Sequence, residues 1–313
     1  MYTKRERGMS MSFSRDAKAE LCRLPVNRKC CAQAECYGLL LYANRFDGSE
    51  ARIVTESEDL AQRLPLLFKK AFHITFDRLP DPGPGKRVFS IMDGDKLDLL
   101  SAAFGYDLGS AVAHHVNFGI LEEDHCRLSF FRGAFLAGGS VTDPQKGYHL
   151  ELTTTHRSVD REMQTLLREA GFDPKGICRG GNHMAYFKRS EDIADFLTAL
   201  GAPLAAMELM NAKAEKDIRG GVNRRVNCDA ANLDKAVDAA QAQIEAIRRL
   251  QTRMDLSTLP PKLAEAARLR LENPDLTLTE LGGLCEPPIT KSTFNYRLKK
   301  LGEMGDDGPD AEK

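Results

Sequence analysis

The sequence predicts an α+β protein in which a duplicated mixed part is followed by an all-α helix-turn-helix domain. Helical and strand-like segments recur in the same order twice within about the first 200 residues. Gly38 and Gly133 lie at equivalent positions inside two apolar helical segments. The last fifty or so residues contain three short helical patterns separated by turn residues. A chain of 313 residues has room for such an arrangement, since a domain takes roughly 100–200 residues.

The first copy of the repeated unit is predicted over residues 13–120. It opens with a helix at Ser14–Leu24, which Ser14 caps and Pro25 ends, and a strongly apolar helix at Cys30–Tyr42 follows. The proline- and glycine-rich segment Pro80–Gly85 is predicted to be a surface loop. The other predicted elements are a strand at Ala51–Thr55, a helix at about Asp59–Phe72, and strands at Ile74–Arg78 and Lys86–Met92.

The second copy is predicted over residues 121–215. Gly38 precedes Asn44 by six positions, as Gly133 precedes Gly139, so Asn44 and Gly139 are expected as left-handed residues at helix ends. Gly38 and Gly133 themselves would allow two helix backbones to approach closely. The predicted elements are helices at Glu122–Ala137, Ser158–Ala170 and Ser190–Leu200 (the last capped by Ser190), a strand at Tyr148–Thr154, and a hairpin of Ile177–Arg179 with Met184–Lys188.

Residues 216–257 are predicted to form a basic hinge and a linker helix. Glycines and arginines interrupt the helical pattern over Asp217–Asp229, which suggests a hinge. Arg224 and Arg225 in this segment are candidate phosphate contacts, and the alternative is a solvated hinge without a ligand. Asn232–Gln251 is rich in alanine, with apolar residues at helical spacing.

The helix-turn-helix domain is predicted over residues 258–303. Pro261 suits the first turn of a helix that ends before Asn273-Pro274. Thr277 and Glu280 form a capping box for a second helix at about Leu278–Leu284. A turn then leads to a third helix at about Lys291–Leu301.

The third helix of this domain has the pattern of a DNA-reading helix. Phe294, Leu298 and Leu301 share one face, which predicts that the opposite face is exposed. The segment 287–301 carries four basic residues and no acidic one, which suits duplex DNA. The alternative is a small packing module whose charged face is only solvated. The predicted DNA contacts on this helix are Lys291, Ser292, Thr293, Asn295, Tyr296, Arg297, Lys299 and Lys300.

Composition restricts the other classes of function. The formal net charge is −1, so any binding of nucleic acid must come from a local patch. No apolar run approaches the roughly 18 residues of a membrane span, and residues 1–12 and 304–313 are predicted to be disordered ends. Cys30, Cys31 and Cys36 cluster, but there is no CxxC pair and no second group of Cys and His at finger-like spacing. We therefore predict reduced thiols on a packed helix, no metal site, and a cytoplasmic protein.

Eight segments together form a pattern specific to one family: Met11–Ser14, Phe131–Pro144, Gly147–Glu151, Val222–Cys228, Ala240–Ile247, Leu269–Pro274, Pro288–Ser292 and Asn295–Leu298. They closely resemble the WhiA sporulation regulators of Gram-positive bacteria. The resemblance covers nearly everything from Met11 to Leu301. It implies an N-terminal domain similar to LAGLIDADG homing endonucleases and a C-terminal helix-turn-helix similar to the promoter-reading region of sigma factors. It also implies roles in transcription control, cell division, chromosome segregation and, in sporulating relatives, sporulation.

The resemblance further implies that the chain is not an enzyme. Homing endonucleases hold catalytic metals with an acidic residue before a glycine at the end of each central helix, and the matching positions here are Ala43 and Gly138. We therefore predict no catalytic residues, no cofactor, and double-stranded DNA as the partner, with another regulator or RNA polymerase beside it near the nucleoid. Two alternatives remain: a residual endonuclease using Asp143, Glu151 or Asp93, and a degenerate domain that binds a protein or small ligand.

Overall fold

A computed structural model describes residues 12–306 apart from Pro82, Pro84 and residues 107–113. The chain divides between Lys216 and Asp217 into two compact units, and each unit has a hydrophobic core of its own. The N-terminal unit mixes helices and sheets, and the described residues of the C-terminal unit form helices. The predicted class, a duplicated α+β domain followed by an all-α helix-turn-helix, is therefore confirmed.

The first repeat consists of helices around a three-stranded antiparallel sheet with strand order β1-β2-β3. The register pairs Ile53 with Phe89, and both side chains are buried beneath the helices. The elements are α1 (Phe13–Cys22), α2 (Lys29–Leu41), β1 (Arg45–Phe46), β2 (Ala51–Thr55), α3 (Glu58–Phe72), β3 (Arg87–Ile91) and α4 (Gly94–Phe104).

The second repeat has a four-stranded antiparallel sheet with strand order β4-β5-β7-β6. The predicted hairpin is confirmed, with Ile177 opposite Met184. Gly180 and Gly181 both adopt positive φ in its two-residue turn, which suits the twist of the flanking strands. The elements are α5 (Asp124–Gly138), β4 (Gly139–Val141), β5 (Leu150–Thr154), α6 (Arg157–Glu169), β6 (Lys175–Arg179), β7 (Asn182–Phe187) and α7 (Ser190–Leu200).

Helices α2 and α5 pack against each other through Gly38 and Gly133. A Cβ atom on Gly38 would lie 2.8 Å from the backbone nitrogen of Ala134, and one on Gly133 would lie 2.9 Å from that of Leu39. Real Cβ atoms do not approach this closely, so both positions require glycine. The predicted close approach of the two helices is therefore confirmed.

A buried ion cluster joins three helices of the same core. The Glu35 carboxylate accepts two hydrogen bonds from Arg63, from Nε at 2.6 Å and from Nη2 at 2.9 Å. Arg132 adds a third at 3.2 Å. Glu35 and Arg63 are only 2% and 4% exposed, so each charge depends on the other for compensation.

One predicted strand of the first repeat is wrong. Ile74–Arg78 forms a single bridge, Arg78 to Ser90, instead of a strand. The backbone nitrogens of Asp77 and Arg78 both donate to the Ser90 carbonyl, which ends regular pairing. The Asp77 carboxylate instead accepts from the backbone nitrogens of Met92 and Asp93. This segment therefore anchors the start of α4, a helix that the sequence reasoning missed although Asp93 caps it.

The predicted helix caps need several corrections. Ser12, not Ser14, occupies the N-cap position of α1, and Arg189 precedes Ser190 at α7. Gly139 has φ −87° because the chain passes directly from α5 into β4. Asn44 is not left-handed either; its side-chain oxygen accepts from the backbone nitrogen of Val54.

A long helix, α8 (Pro203–Gln251, 49 residues), replaces the predicted hinge over Asp217–Asp229. Gly220 and Gly221 each cost about 1 kcal/mol relative to alanine in a helix interior. A break would cost more, because each new helix end leaves four backbone groups without intrahelical partners. No proline follows Pro203 until Pro260, so the backbone hydrogen bonding continues.

Three further helices complete the C-terminal unit: α9 (Pro261–Glu272), α10 (Leu278–Gly283) and α11 (Lys291–Asp306). Their core contains Leu281, Phe294 and Leu298 together with Ile247 of α8. Helix α11 extends beyond the predicted end at Leu301 because Met304 also packs against this core. The predicted disordered ends are wrong at their inner edges, since Ser12 is the N-cap residue of α1 and residues 304–306 belong to α11. The remainder of both ends, residues 1–11 and 307–313, lies outside the described residues.

Within the described part of the chain, no helix has the length and apolar character that a membrane crossing requires.

Candidate nucleic-acid interface

The connection between α10 and α11 is fixed by backbone contacts. The predicted capping box is present, because Thr277 accepts from the backbone nitrogen of Glu280 and the Glu280 carboxylate accepts from that of Thr277. The Ile289 nitrogen donates to the Gly282 carbonyl at 2.9 Å. A Cβ on Gly282 would lie 2.5 Å from the Ile289 carbonyl oxygen, so glycine permits this tight return of the chain.

Helix α11 is anchored along one side and capped at its start. The Thr290 hydroxyl accepts from the backbone nitrogen of Thr293 at 3.3 Å. Phe294 and Leu301 are completely buried, and Leu298 is 3% exposed. These residues recur every three or four positions, so they fix which side of the helix meets the core.

The opposite side of α11 presents polar and basic side chains. Ser292, Asn295, Tyr296 and Lys299 are all exposed, and Tyr296 retains 66% of its accessible surface. Nζ of Lys299 lies 3.9 Å from the Glu303 carboxylate, and this exposed ion pair contributes little to stability. Hydroxyl, amide and ammonium groups are therefore displayed together within the first two and a half turns or so. The start of a recognition helix is the part that normally reaches base edges.

Arg297 does not belong to that exposed face. Its guanidinium lies 3.0 Å from the Glu265 carboxylate of α9, and its side chain is only 11% exposed. The charge is already neutralised, and the side chain holds α11 to α9. We therefore remove Arg297 from the predicted DNA contacts. The sequence pattern could not reveal that Glu265 lies beneath it.

Arg224 and Arg225 lie on α8 and are exposed. Their helical setting replaces the flexible hinge predicted from the sequence. Two consecutive residues of a helix point about 100° apart, so the two guanidinium groups face different directions.

The C-terminal ends of α2 and α5 carry no carboxylate at Ala43 or Gly138. A Cβ on Gly138 would lie 2.5 Å from the Thr153 carbonyl oxygen and 2.7 Å from Cδ1 of Tyr42. A longer side chain at this position would therefore collide with its neighbours.

A lysine, not an acid, lies beside this helix end. Lys18 donates from Nζ to the Leu136 carbonyl at 3.1 Å, and burial lowers its pKa to about 8. Lys18 and Ala43 both line a cavity of about 450 Å³, to which Arg15 and Lys86 add further positive charge. The sequence reasoning missed Lys18, although its side chain suits the negative end of the α5 dipole.

The alternative metal-binding acids all have local roles. Asp93 caps α4 by accepting from the backbone nitrogen of Lys96. Asp143 accepts from the backbone nitrogen of Gln145 at 2.8 Å, inside a turn. Glu151 pairs with His149 at 3.0 Å. Among the residues described, these three acids do not converge into one ligand group.

Comparison with known proteins identifies the family. A sequence profile described as "WhiA LAGLIDADG-like domain" matches residues 127–219, and one described as "WhiA C-terminal HTH domain" matches residues 222–305. A "Probable cell division protein WhiA" of Ruminiclostridium cellulolyticum is 36% identical over 306 residues, covering 95% of this chain and 97% of the relative. This chain belongs to the WhiA family. The proteins of the same description from Alkaliphilus metalliredigens and Desulforudis audaxviator are 34% and 36% identical, each covering 95% of this chain.

The WhiA fold covers both units of the chain as the structure describes them. The structure described as full-length DUF199/WhiA from Thermatoga maritima aligns with a TM-score of 0.59 at 24% identity, covering 95% of this chain and 98% of that one. The family profiles begin at residue 127, but the full-length WhiA relatives also cover the first repeat. Both the duplicated domain and the helix-turn-helix are therefore WhiA features of this chain.

Proposed function

We propose that this WhiA-family protein is a DNA-binding transcription regulator that reads promoter DNA with α11. The observation that carries the proposal is the exposed face of Ser292, Asn295, Tyr296 and Lys299, opposite a fully buried apolar side. A helix held in this way can enter the major groove without losing its packing.

The contacts of this face divide by chemistry. Lysine side chains neutralise phosphates and supply affinity that falls with salt, whereas amide and hydroxyl groups meet base edges and supply specificity. We assign base contacts to Ser292, Thr293 and Asn295, and stacking or backbone contacts to Tyr296. The proposed phosphate contacts are Lys291, Lys299 and Lys300 on α11, with Arg224 and Arg225 on α8.

We further propose that the LAGLIDADG-like unit does not cleave DNA. Metal-assisted hydrolysis needs oxygen ligands beside the scissile phosphate, and Ala43 and Gly138 supply none. Lys18 and the neighbouring basic residues make the same place suitable for an anion instead of a cation. The prediction is that purified protein leaves supercoiled plasmid intact in Mg²⁺ or Mn²⁺; nicking that survives repurification would overturn it.

The cellular role follows from the relatives. Because they carry the description "Probable cell division protein WhiA", we propose control of genes for cell division. The family resemblance of the sequence adds the proposal that chromosome segregation and, where the host sporulates, sporulation are controlled as well. The proposed partners are double-stranded DNA and either RNA polymerase or another regulator. The proposed location is the cytoplasm, at the nucleoid.

Mapping of bound chromosomal sites in cells tests the DNA-reading face. The full chain is compared with a triple variant, Ser292→Ala, Asn295→Ala and Lys299→Ala, whose positions are all exposed. The exposed Lys262→Ala variant in α9 is the control. We expect the triple variant to lose promoter occupancy at normal protein levels while the control keeps it. Unchanged occupancy of the triple variant would exclude α11 as the reading helix.

A further inference from the structure

A second chemical feature lies at the opposite end of the α2–α5 pair. Sγ of Cys30, Sγ of Cys31, a ring nitrogen of His125 and Sγ of Cys126 all lie within 4.8 Å of one another. Nδ1 of His125 is 3.4 Å from the Cys31 sulfur and 3.2 Å from the Cys126 sulfur. Three sulfurs and one imidazole nitrogen therefore converge, although the sequence separates the two halves by more than 90 residues.

The four residues are related by the internal duplication. Gly38 and Gly133 are 95 positions apart, and the same offset pairs Cys30 with His125 and Cys31 with Cys126. Each repeat thus supplies two consecutive residues from the first turn of its central helix, α2 or α5. The place where the two repeats meet supplies a complete ligand set that neither repeat has alone.

We propose that Cys30, Cys31, His125 and Cys126 bind one Zn²⁺ ion in a structural Cys₃His site. Zinc prefers four ligands of this kind in a tetrahedron, and a Zn–S bond of about 2.3 Å sets sulfurs about 3.8 Å apart. Ligand atoms already within 4.8 Å need only small side-chain rotations to reach that geometry. Because all four positions are filled by protein, the site has no place for a substrate, and its role is structural.

The surroundings favour the bound form. Zinc binds thiolates, so the three thiols release three protons to solvent and the Zn²⁺ centre carries a net charge of −1. The first turns of α2 and α5 point their positive dipole ends towards this charge, and neither helix has a side-chain cap at its N-terminus. Cys126 is buried and Cys30 is exposed, so the ion has a solvent path to a partly desolvated pocket.

A bound ion would cross-link the first turns of α2 and α5, which lie away from the contact between Gly38 and Gly133. Cys30 lies 11 residues before Leu41, the last residue of α2, so the zinc site lies roughly 16 Å from the nuclease-like end of that helix. The site and α11 belong to different compact units, so we expect loss of the ion to leave the exposed face of α11 unchanged.

The test uses the full chain, kept reduced, stripped with a chelator and then titrated with Zn²⁺, and with Co²⁺ as a spectroscopic probe. We expect one ion per chain, tetrahedral Co²⁺ absorption bands with thiolate charge transfer, and a Zn²⁺-dependent rise in Tm. Cys30→Ser and His125→Asn change positions that are not fully buried. Each should lower the affinity for Zn²⁺ by more than about 10- to 100-fold, the loss typical when a residue that only hydrogen-bonds to a ligand is removed.

The exposed Cys178→Ser and Cys228→Ser variants are matched controls, since each removes a thiol far in sequence from the cluster. They should bind Zn²⁺ as the unmodified chain does. Absence of stoichiometric Zn²⁺ binding when thiol titration shows Cys30 and Cys31 reduced would overturn the proposal. Binding that is unaffected by both Cys30→Ser and His125→Asn would also overturn it.

Discussion

Gly38 and Gly133 each lie directly against the backbone of the opposite helix, Gly38 beside the Phe130 carbonyl and Gly133 beside the Glu35 carbonyl. The relationship is reciprocal, so one approximate twofold relation sets the packing of α2 against α5. The ion cluster of Glu35 with Arg132 and the sulfur-rich group each join α2 to α5, so both depend on this close approach.

The first prediction concerns this contact. Gly38→Ala should lower the free energy of unfolding of the N-terminal unit by about 3 kcal/mol, at the upper end for overpacking, because the obstacle is backbone that cannot rotate away. Gly221→Ala in α8 has open space around its Cβ and should stabilise by about 0.5–1 kcal/mol. Urea unfolding monitored by hydrogen exchange gives the free energy of unfolding of each unit separately. Equal effects of the two substitutions would contradict the packing described.

The second prediction concerns the buried carboxylate. Glu35→Gln should destabilise the N-terminal unit by about 3–5 kcal/mol, because the Arg63 charge then stays buried without compensation. The control is Glu272→Gln, which breaks an exposed pair with Arg268 and should change stability by less than about 0.5 kcal/mol. Thermal unfolding monitored by circular dichroism measures both. If the Tm of Glu35→Gln lies within about 1 °C of the parent's, the ion cluster contributes little to the stability of the N-terminal unit.

The third prediction separates affinity from specificity on α11. Lys299→Ala should weaken binding to all DNA sequences and reduce the slope of log K against log salt by about 1. Asn295→Ala should instead reduce the difference in binding free energy between promoter DNA and random DNA by about 1–3 kcal/mol. Gel-shift titrations at several salt concentrations measure both quantities, with Lys262→Ala as control. If both variants bind as the parent does, the assigned face is incorrect.

The fourth prediction concerns pH and Lys18. Burial lowers the Lys18 pKa from 10.5 to about 8, so the folded state holds fewer protons than the unfolded state between these values. This group therefore contributes stability that increases as pH rises from 8 to 10.5. Lys18→Met lacks the titration, so its stability relative to the parent should be greatest below pH 8 and fall by at most roughly 3 kcal/mol towards pH 10.5. A difference that stays constant with pH would contradict a lowered pKa, and Lys262→Met is the exposed control.

The sequence by itself determined the repeated order of elements, which face of α11 is exposed, and the absence of an acid at both positions. These depend on local patterns: apolar spacing on a helix, the Thr277–Glu280 capping box, and the residue types at Ala43 and Gly138. Helix periodicity requires that Phe294 and Leu298 face inwards once the helix packs, so the opposite face could be predicted without coordinates.

Only the tertiary structure decided which distant groups meet. Arg297 was placed in the DNA face because its partner, Glu265, lies 32 residues away in sequence. Cys30 and Cys31 were interpreted as unligated thiols because His125 and Cys126 become neighbours only when α2 packs on α5. The sequence did not predict that α8 is continuous, because its glycines suggested a break. The low helix propensity of glycine opposes a helix only weakly. Propensity and periodicity act within a few residues, whereas charge pairing and ligand convergence depend on long-range packing that no single segment encodes.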